Sequence, residues 1–256
     1  MKARTLVLCL GFGFVISAPA AASTQWNLVS GSNNNAEYGN SRTYVSDGIS
    51  LTATAWSNST WTGSGNERQL NDAYLPVWSG GLGVINRGEG TNNLGQPSAG
   101  SPQHSMDNSG FTDSILLSFT DAIALNSLRM GWWETDSDIT VLAYSGNGSP
   151  TLVGSRYSDL TTTGGWSLVG HYSNVGTSTT TINTGNLSSS HWLISAYNPL
   201  VGGHTNPWTT GNDFVKLAMV SGSKPPPPPN GVPEPGSLAL LGLGLLGLMT
   251  VRRRFS

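Results

Sequence analysis

Arg42-Thr43-Tyr44-Val45, then Asp47-Gly48, then Ile49-Ser50-Leu51-Thr52-Ala53-Thr54-Ala55-Trp56, decide the fold. Asp-Gly between two strand-forming runs is a strong short-range hairpin signal, because both central residues of a type I′ turn need positive φ. The second run alternates. Ile49, Leu51, Ala53 and Ala55 fall on one face and Ser50, Thr52, Thr54 and Trp56 on the other. A period of two places one face on a core and the other towards solvent, which is a half-buried antiparallel strand.

The same pattern extends outward in both directions. Gln25–Val29 precedes the hairpin. Ser114–Phe119, Leu125–Trp132 and Asp138–Tyr144 read as three consecutive strands, and Trp166–Tyr172, Thr179–Ile182, His191–Tyr197 and Asp213–Val220 complete the set. Gly, Ser, Thr and Asn dominate the intervening segments, and few stretches carry apolar residues at helical spacing. About nine or ten short strands separated by turn residues predict an all-β chain, an antiparallel β-sandwich of jelly-roll type. A β-solenoid would carry a fixed short repeat, and none occurs.

The two ends have a different character. Lys2 and Arg4 precede the apolar run Thr5–Ile16 and the small residues Ala18-Pro19-Ala20-Ala21-Ala22-Ser23, the order of a secretory signal peptide. Cleavage is expected after Ala22, with Ala20 the alternative, so that residues 1–22 leave and the signal peptidase and Sec machinery are partners. Cys9, the only cysteine, lies inside the apolar run behind Leu6-Val7-Leu8, a poor acylation site. The mature chain then has no thiol, hence no disulfide, no Cys-ligated zinc and no thiol nucleophile. At the other end five prolines, Pro225–Pro229, follow Lys224. In polyproline II they rise about 3.1 Å each, a semi-rigid stalk of roughly 15 Å over residues 224–231.

Residues 232–256 hold Val232-Pro233-Glu234-Pro235, the apolar run Gly236–Val251 and the basic cluster Arg252-Arg253-Arg254. As a short transmembrane helix that run would reach about 24 Å at 1.5 Å per residue, short of a hydrocarbon core of roughly 30 Å. The arginines would stay on the cytoplasmic side of the inner membrane. These three parts in this order resemble the PEP-CTERM sorting signal. The resemblance implies recognition by an exosortase during export, transient anchoring in the inner membrane, and an envelope, surface or extracellular-matrix destination. An ordinary single-span anchor is the alternative.

Between the ends, residues 23–223 form a body large enough for one sizeable domain. Six basic residues (Arg42, Arg68, Arg87, Arg129, Arg156 and Lys216) face thirteen acidic ones, all but Glu234 of the chain's total, a net of about −7. Such a body lacks the cations needed to neutralise phosphates, so nucleic acid is excluded as a partner. Within it, Val77-Trp78-Ser79-Gly80-Gly81-Leu82-Gly83-Val84, His104-Ser105-Met106-Asp107-Asn108 and the Gly131-Trp132-Trp133-Glu134-Thr135-Asp136-Ser137-Asp138 strand stand apart from generic filler. Together they are similar to exosortase-dependent surface proteins of PEP-CTERM type over roughly Leu75–Tyr144. The resemblance singles out His104, Asp107, Asn108, Gly131, Trp132, Asp136 and Asp138 and implies a destination rather than a reaction.

His104, Asp107 and Asn108 can ligate a metal or build a hydrogen-bond network. Glu134, Asp136 and Asp138, at strand spacing, would project from one face and repel unless a cation intervenes. Calcium suits such hard oxygen ligands and is the candidate cofactor; the alternative is that these residues form Asx turns and loop caps. Zinc is disfavoured because His104, His171, His191 and His204 lack ligand spacing.

No Gly-x-Ser-x-Gly elbow occurs, and Ser221-Gly222-Ser223, the nearest approach to one, reads as stalk. A glycosidase pair would have to join Glu134 to Glu89 or Asp113, which nothing in the sequence requires. The chain is therefore not expected to be an enzyme, with a secreted hydrolase the remotest reading. Nine tryptophans, among them the adjacent Trp132 and Trp133, supply a core, an exposed stacking surface, or both. Most are expected in the core, and of the adjacent pair one ring should be buried. The expected role is a structural or adhesive component of the cell surface or biofilm matrix. The alternative is a module that binds exopolysaccharide through its tryptophans.

Overall fold

A computed structural model describes residues 22–30, 36–60, 67–205, 207–225 and Leu243. All but the last residue of the signal peptide, all but the first two residues of the proline stalk and nearly all of the sorting signal lie outside the described residues. Two compact units divide the chain, Met1–Lys224 and Pro225–Ser256. Among the described residues no helix is long and apolar enough to cross a membrane.

The first unit is an antiparallel β-sandwich. Its strands are β1 (Thr24–Asn27), β2 (Ser41–Ser46), β3 (Ile49–Thr60), β4 (Gln69–Ala73), β5 (Val77–Trp78), β6 (Gly81–Leu82), β7 (Met106–Asp107), β8 (Asp113–Thr135), β9 (Ile139–Tyr144), β10 (Trp166–Tyr172), β11 (Thr180–Thr181), β12 (Ser189–Ala196) and β13 (Asp213–Ser223). One helical turn, α1 (Tyr157–Leu160), lies between β9 and β10.

The hairpin forms where the sequence places it. Asp47 and Gly48 have φ of 48° and 72°, and β2 and β3 pair from Ser46↔Ile49 to Ser41↔Thr54. Ile49, Leu51, Ala53 and Ala55 are buried in strict alternation. Burying a Leu or Ile side chain contributes about 1.5–3 kcal/mol, so the alternation fixes the register.

One sheet runs β10-β9-β12-β8-β3, with β2 and β4 along the outer edge of β3. The other pairs β8 with β13 and β11, while β1, β6 and β7 share the far edge of β13. β8 belongs to both. Residues 113–119 pair with β3, and residues 124–135 pair with β13. The two strands expected at Ser114–Phe119 and Leu125–Trp132 are thus one strand, which crosses between sheets at Thr120-Asp121-Ala122. Ser221-Gly222-Ser223, read as stalk from sequence, is the paired end of β13.

The main core lies between the sheets and includes Trp26, Leu51, Leu117, Leu128, Trp192 and Leu217. A second core covers the outer face of the first sheet, where Leu116, Leu142 and Leu193 meet Leu152, Tyr157 and Leu160. Strands buried on both faces read as continuous apolar runs, which explains Ile115-Leu116-Leu117 and Val141-Leu142-Ala143.

Tryptophans are less buried than the sequence suggests. Of the eight described, only Trp26, Trp166 and Trp192 are buried. Neither ring of the adjacent pair is in the core: Trp132 is half-buried and Trp133 is 45 % exposed. Both sit near the C-terminal end of β8.

Candidate functional site

β7 is two residues long and organises the site. Asp107 pairs with Phe214 and Met106 with Val215 of β13. Successive side chains on an extended chain point to opposite sides. Asp107 and Asn108 therefore enter different surroundings, and each is buried beside its own set of carboxylates.

Asp107 joins Glu89 and Asp113, with one carboxylate oxygen of each lying within 4.8 Å of the others. Asn86, fully buried, holds two of them. Its backbone N–H donates to Glu89 Oε2 at 2.8 Å and its side-chain amide to Asp113 Oδ1 at 3.2 Å. Its own Oδ1 accepts from the Gly88 N–H at 2.9 Å, an Asx turn that fixes the loop. Asp107 Oδ1 accepts from the Ser109 N–H at 2.8 Å. The remaining oxygens, Glu89 Oε1, Asp107 Oδ2 and Asp113 Oδ2, are buried and have no hydrogen-bond partner. Ser57, the cross-strand partner of Asp113, is also fully buried with its hydroxyl making no hydrogen bond.

Burial accordingly raises all three carboxyls. Glu89 is pushed up to about 8, with Asp107 adding to the effect. Asp107 is pushed up to about 7. Asp113 lies well above the usual range, driven first by burial and then by Asp107 and Glu89, while the Ser57 hydroxyl, beside it but outside hydrogen-bond geometry, and the hydrogen bond from Asn86 pull it partly back. Removing a carboxylate from water costs several kcal/mol unless a partner replaces the solvent.

Asn108 meets a second group. One oxygen from each of Asp136, Asp138 and Asp213 again lies within 4.8 Å of the others. Here donors are abundant. Asp213 Oδ1 accepts from the Asp138 N–H at 2.8 Å, and Asp213 Oδ2 from the Asn108 amide. Asp138 Oδ1 accepts from the Asn174 N–H at 2.7 Å. Asp136 accepts from the Ser137 N–H at 2.8 Å and the Asn212 amide at 3.2 Å. The Asn108 Oδ1 accepts from the Gly211 N–H at 2.9 Å and the Asp213 N–H at 3.1 Å, and its amide also donates to Tyr197 O at 3.0 Å. Burial still raises Asp213 to about 7, against the pull of the Asp138 N–H and Asn108.

Glu134 is not in this group. Thr135 has φ 62° and the Asp136 N–H donates back to Glu134 O at 2.8 Å, so the strand alternation that would align Glu134 with Asp136 ends there. Asp213, from β13, takes its place. Glu134 is exposed and acts on Lys216 and His104, raising the pKa of both against the stronger effect of burial.

Those residues form the third feature. Lys216 Nζ is 4.2 Å from the Trp132 ring centroid and 5.4 Å from that of Trp78. His104 packs on Trp78 at 4.7 Å and 46°, and edge-on to Trp132 at 6.4 Å and 86°. The difference of those angles, 40°, is the least by which the two indole planes diverge, so they are not a coplanar pair. Gly131 has a packing role: a Cβ there would stand 2.4 Å from Gly80 O, beneath the β5–β6 turn.

The sequence-singled residues thus converge on one end of the sandwich but divide among three surroundings. Asp107 meets Glu89 and Asp113; Asn108, Asp136 and Asp138 meet Asp213; His104 and Trp132 meet Trp78 and Lys216. Glu89 and Asp113, weighed from sequence only as partners of Glu134, lie together and apart from it. Asp213 was missed as a site residue. The other histidines contribute no ligand to either carboxylate group; His171 and His204 stack on each other at 4.9 Å.

Residues 231–254 match the family model of the PEP-CTERM protein-sorting motif. The chain therefore carries the signal for exosortase-dependent sorting to the cell envelope or surface. No curated protein and no solved structure matches it.

Proposed function

We propose that the chain is a structural or adhesive component of the cell surface or biofilm matrix, presented by exosortase sorting. The observation that carries this reading is the sorting motif at residues 231–254 of a chain whose body is an acidic β-sandwich. Such a body needs no reaction to serve; it needs to be displayed and to stay folded outside the cell. The test replaces Pro233-Glu234-Pro235 with alanines in the producing strain. The expected outcome is loss of surface display, a changed mature mass and weaker cell adhesion. Unaltered display and mass would contradict sorting. Unaltered adhesion in a strain lacking the protein would contradict the adhesive role.

Trp78 favours a second reading, carbohydrate binding. It is 39 % exposed and lines a cleft of about 230 Å³ together with Tyr74, Pro76, Gln96 and Ser98. Aromatic rings beside amide and hydroxyl groups suit sugar rings, which stack and are oriented by hydrogen bonds. Affinity electrophoresis through the exopolysaccharide of the producing strain should retard the chain, and Trp78→Ala should abolish the retardation. Equal mobility with and without polysaccharide would contradict it.

A further inference from the structure

Three buried carboxylates are not in themselves a site. What distinguishes Glu89, Asp107 and Asp113 is that each keeps one buried oxygen without any hydrogen-bond partner, and that Ser57, outside the trio, adds a fully buried hydroxyl in the same condition beside Asp113. Native interiors satisfy the great majority of buried polar atoms, so four such atoms on neighbouring residues need an explanation. Both ion pairs found among the described residues, Arg87–Asp72 and Lys224–Asp121, lie elsewhere. The second carboxylate group meets the same charge with amide donors, and none of its carboxylate oxygens is both buried and without a hydrogen-bond partner.

We propose that Glu89, Asp107 and Asp113 bind a calcium ion, with the Ser57 hydroxyl beside them. The geometry agrees: opposite ligands of an ion bonded at about 2.3–2.6 Å stand roughly 4.6–5.2 Å apart, and oxygens of this trio approach one another within 4.8 Å. Calcium fits better than magnesium, which keeps its waters and demands a nearly ideal octahedron, whereas these oxygens are buried among side chains. The ion would join the loop after Ile85, β7, the start of β8 and, through Ser57, β3. That loop also supplies Gln96 and Pro97 to the Trp78 cleft, so the ion braces one wall of it. The proposal goes beyond surface display and does not depend on the adhesive reading.

The test uses the full-length chain purified in mild detergent, stripped with EDTA and dialysed against calcium chloride. Bound calcium is counted by atomic emission and thermal unfolding is followed by circular dichroism. One ion per chain is expected, with a chelator-reversible rise in Tm on the order of 5 °C at saturation and a smaller rise with magnesium. Asp113→Asn should lower calcium affinity at least tenfold with the β spectrum intact. Should that variant fail to fold, Glu89→Gln, at the half-buried member, reads the same quantity. Asp138→Asn, in the second group, should bind as the wild type does. No bound calcium at millimolar concentration would overturn the proposal. So would binding that survives Asp113→Asn and Glu89→Gln, or binding lost in Asp138→Asn while retained in Asp113→Asn, which would place the ion in the other group.

Discussion

Two groups of three carboxylates lie on either side of β7, equal in formal charge and different in how that charge is met. Around Asp136, Asp138 and Asp213 the chain has placed Asn108, Asn212 and the backbone N–H groups of Ser137, Asp138 and Asn174. Around Glu89, Asp107 and Asp113 it has placed Asn86 and the Ser109 N–H, and then stopped, leaving three oxygens bare. Burial of an acid therefore says little about its role. The number of donors aimed at it decides whether the group is a closed structural network or one that needs a proton or a cation.

The largest expected effect comes from breaking the closed network. Asn108→Ala removes the acceptor for the buried Asp213 N–H and for the Gly211 N–H, and a donor to Asp213, together. It should cost about 3 kcal/mol or more in urea unfolding. A loss under about 1 kcal/mol would mean that the network is not closed by Asn108.

Next comes one substitution made in both groups. Asp213→Asn sets an amide against donors it cannot accept from at both positions, and should destabilise by about 1–3 kcal/mol. Asp113→Asn, in EDTA, replaces a carboxyl whose ionisation burial opposes and offers an amide to the bare oxygens of its neighbours, and should stabilise by about 1 kcal/mol. Effects of the same sign in urea unfolding would erase the distinction between the groups.

The last comparison is the pH dependence of the calcium-free protein. Unfolded carboxyls titrate near 4, whereas Glu89 and Asp107 in the fold titrate at about 8 and 7. The fold binds more protons than the unfolded chain between those values. Their contribution is thus fully present below about pH 4 and is lost as pH rises through 7 to 8. In EDTA, Tm should fall by several degrees from pH 5 to pH 8, and calcium should restore most of that at pH 8 and little at pH 5. Asp213, at about 7, adds to the slope with the same sign, and calcium should leave its share unrelieved. A Tm that rises over this range in EDTA would contradict the assignment.

The sandwich was legible because burial in alternation leaves a period in the sequence, as Ile49, Leu51, Ala53 and Ala55 do. The join within β8 was not legible, since Thr120-Asp121-Ala122 reads as a break although the backbone continues from one sheet to the other. The site was half legible. His104, Asp107, Asn108, Asp136 and Asp138 stood out, yet their partners did not. Glu89 sits in a polar loop, and β7 is too short to have a period; only its pairing with β13 brings Asp107 towards Asp113. One signal was available: Asp113 opens the apolar run Ser114-Ile115-Leu116-Leu117, an unusual place for a carboxylate. Glu134 misled because the strand alternation that would align it with Asp136 ends at Thr135.

The most direct measurement is anomalous diffraction from crystals of the chain grown in calcium and soaked with terbium. One strong peak bounded by oxygens of Glu89, Asp107 and Asp113 is expected, and none among Asp136, Asp138 and Asp213. A peak in the second group with none in the first would contradict the assignment.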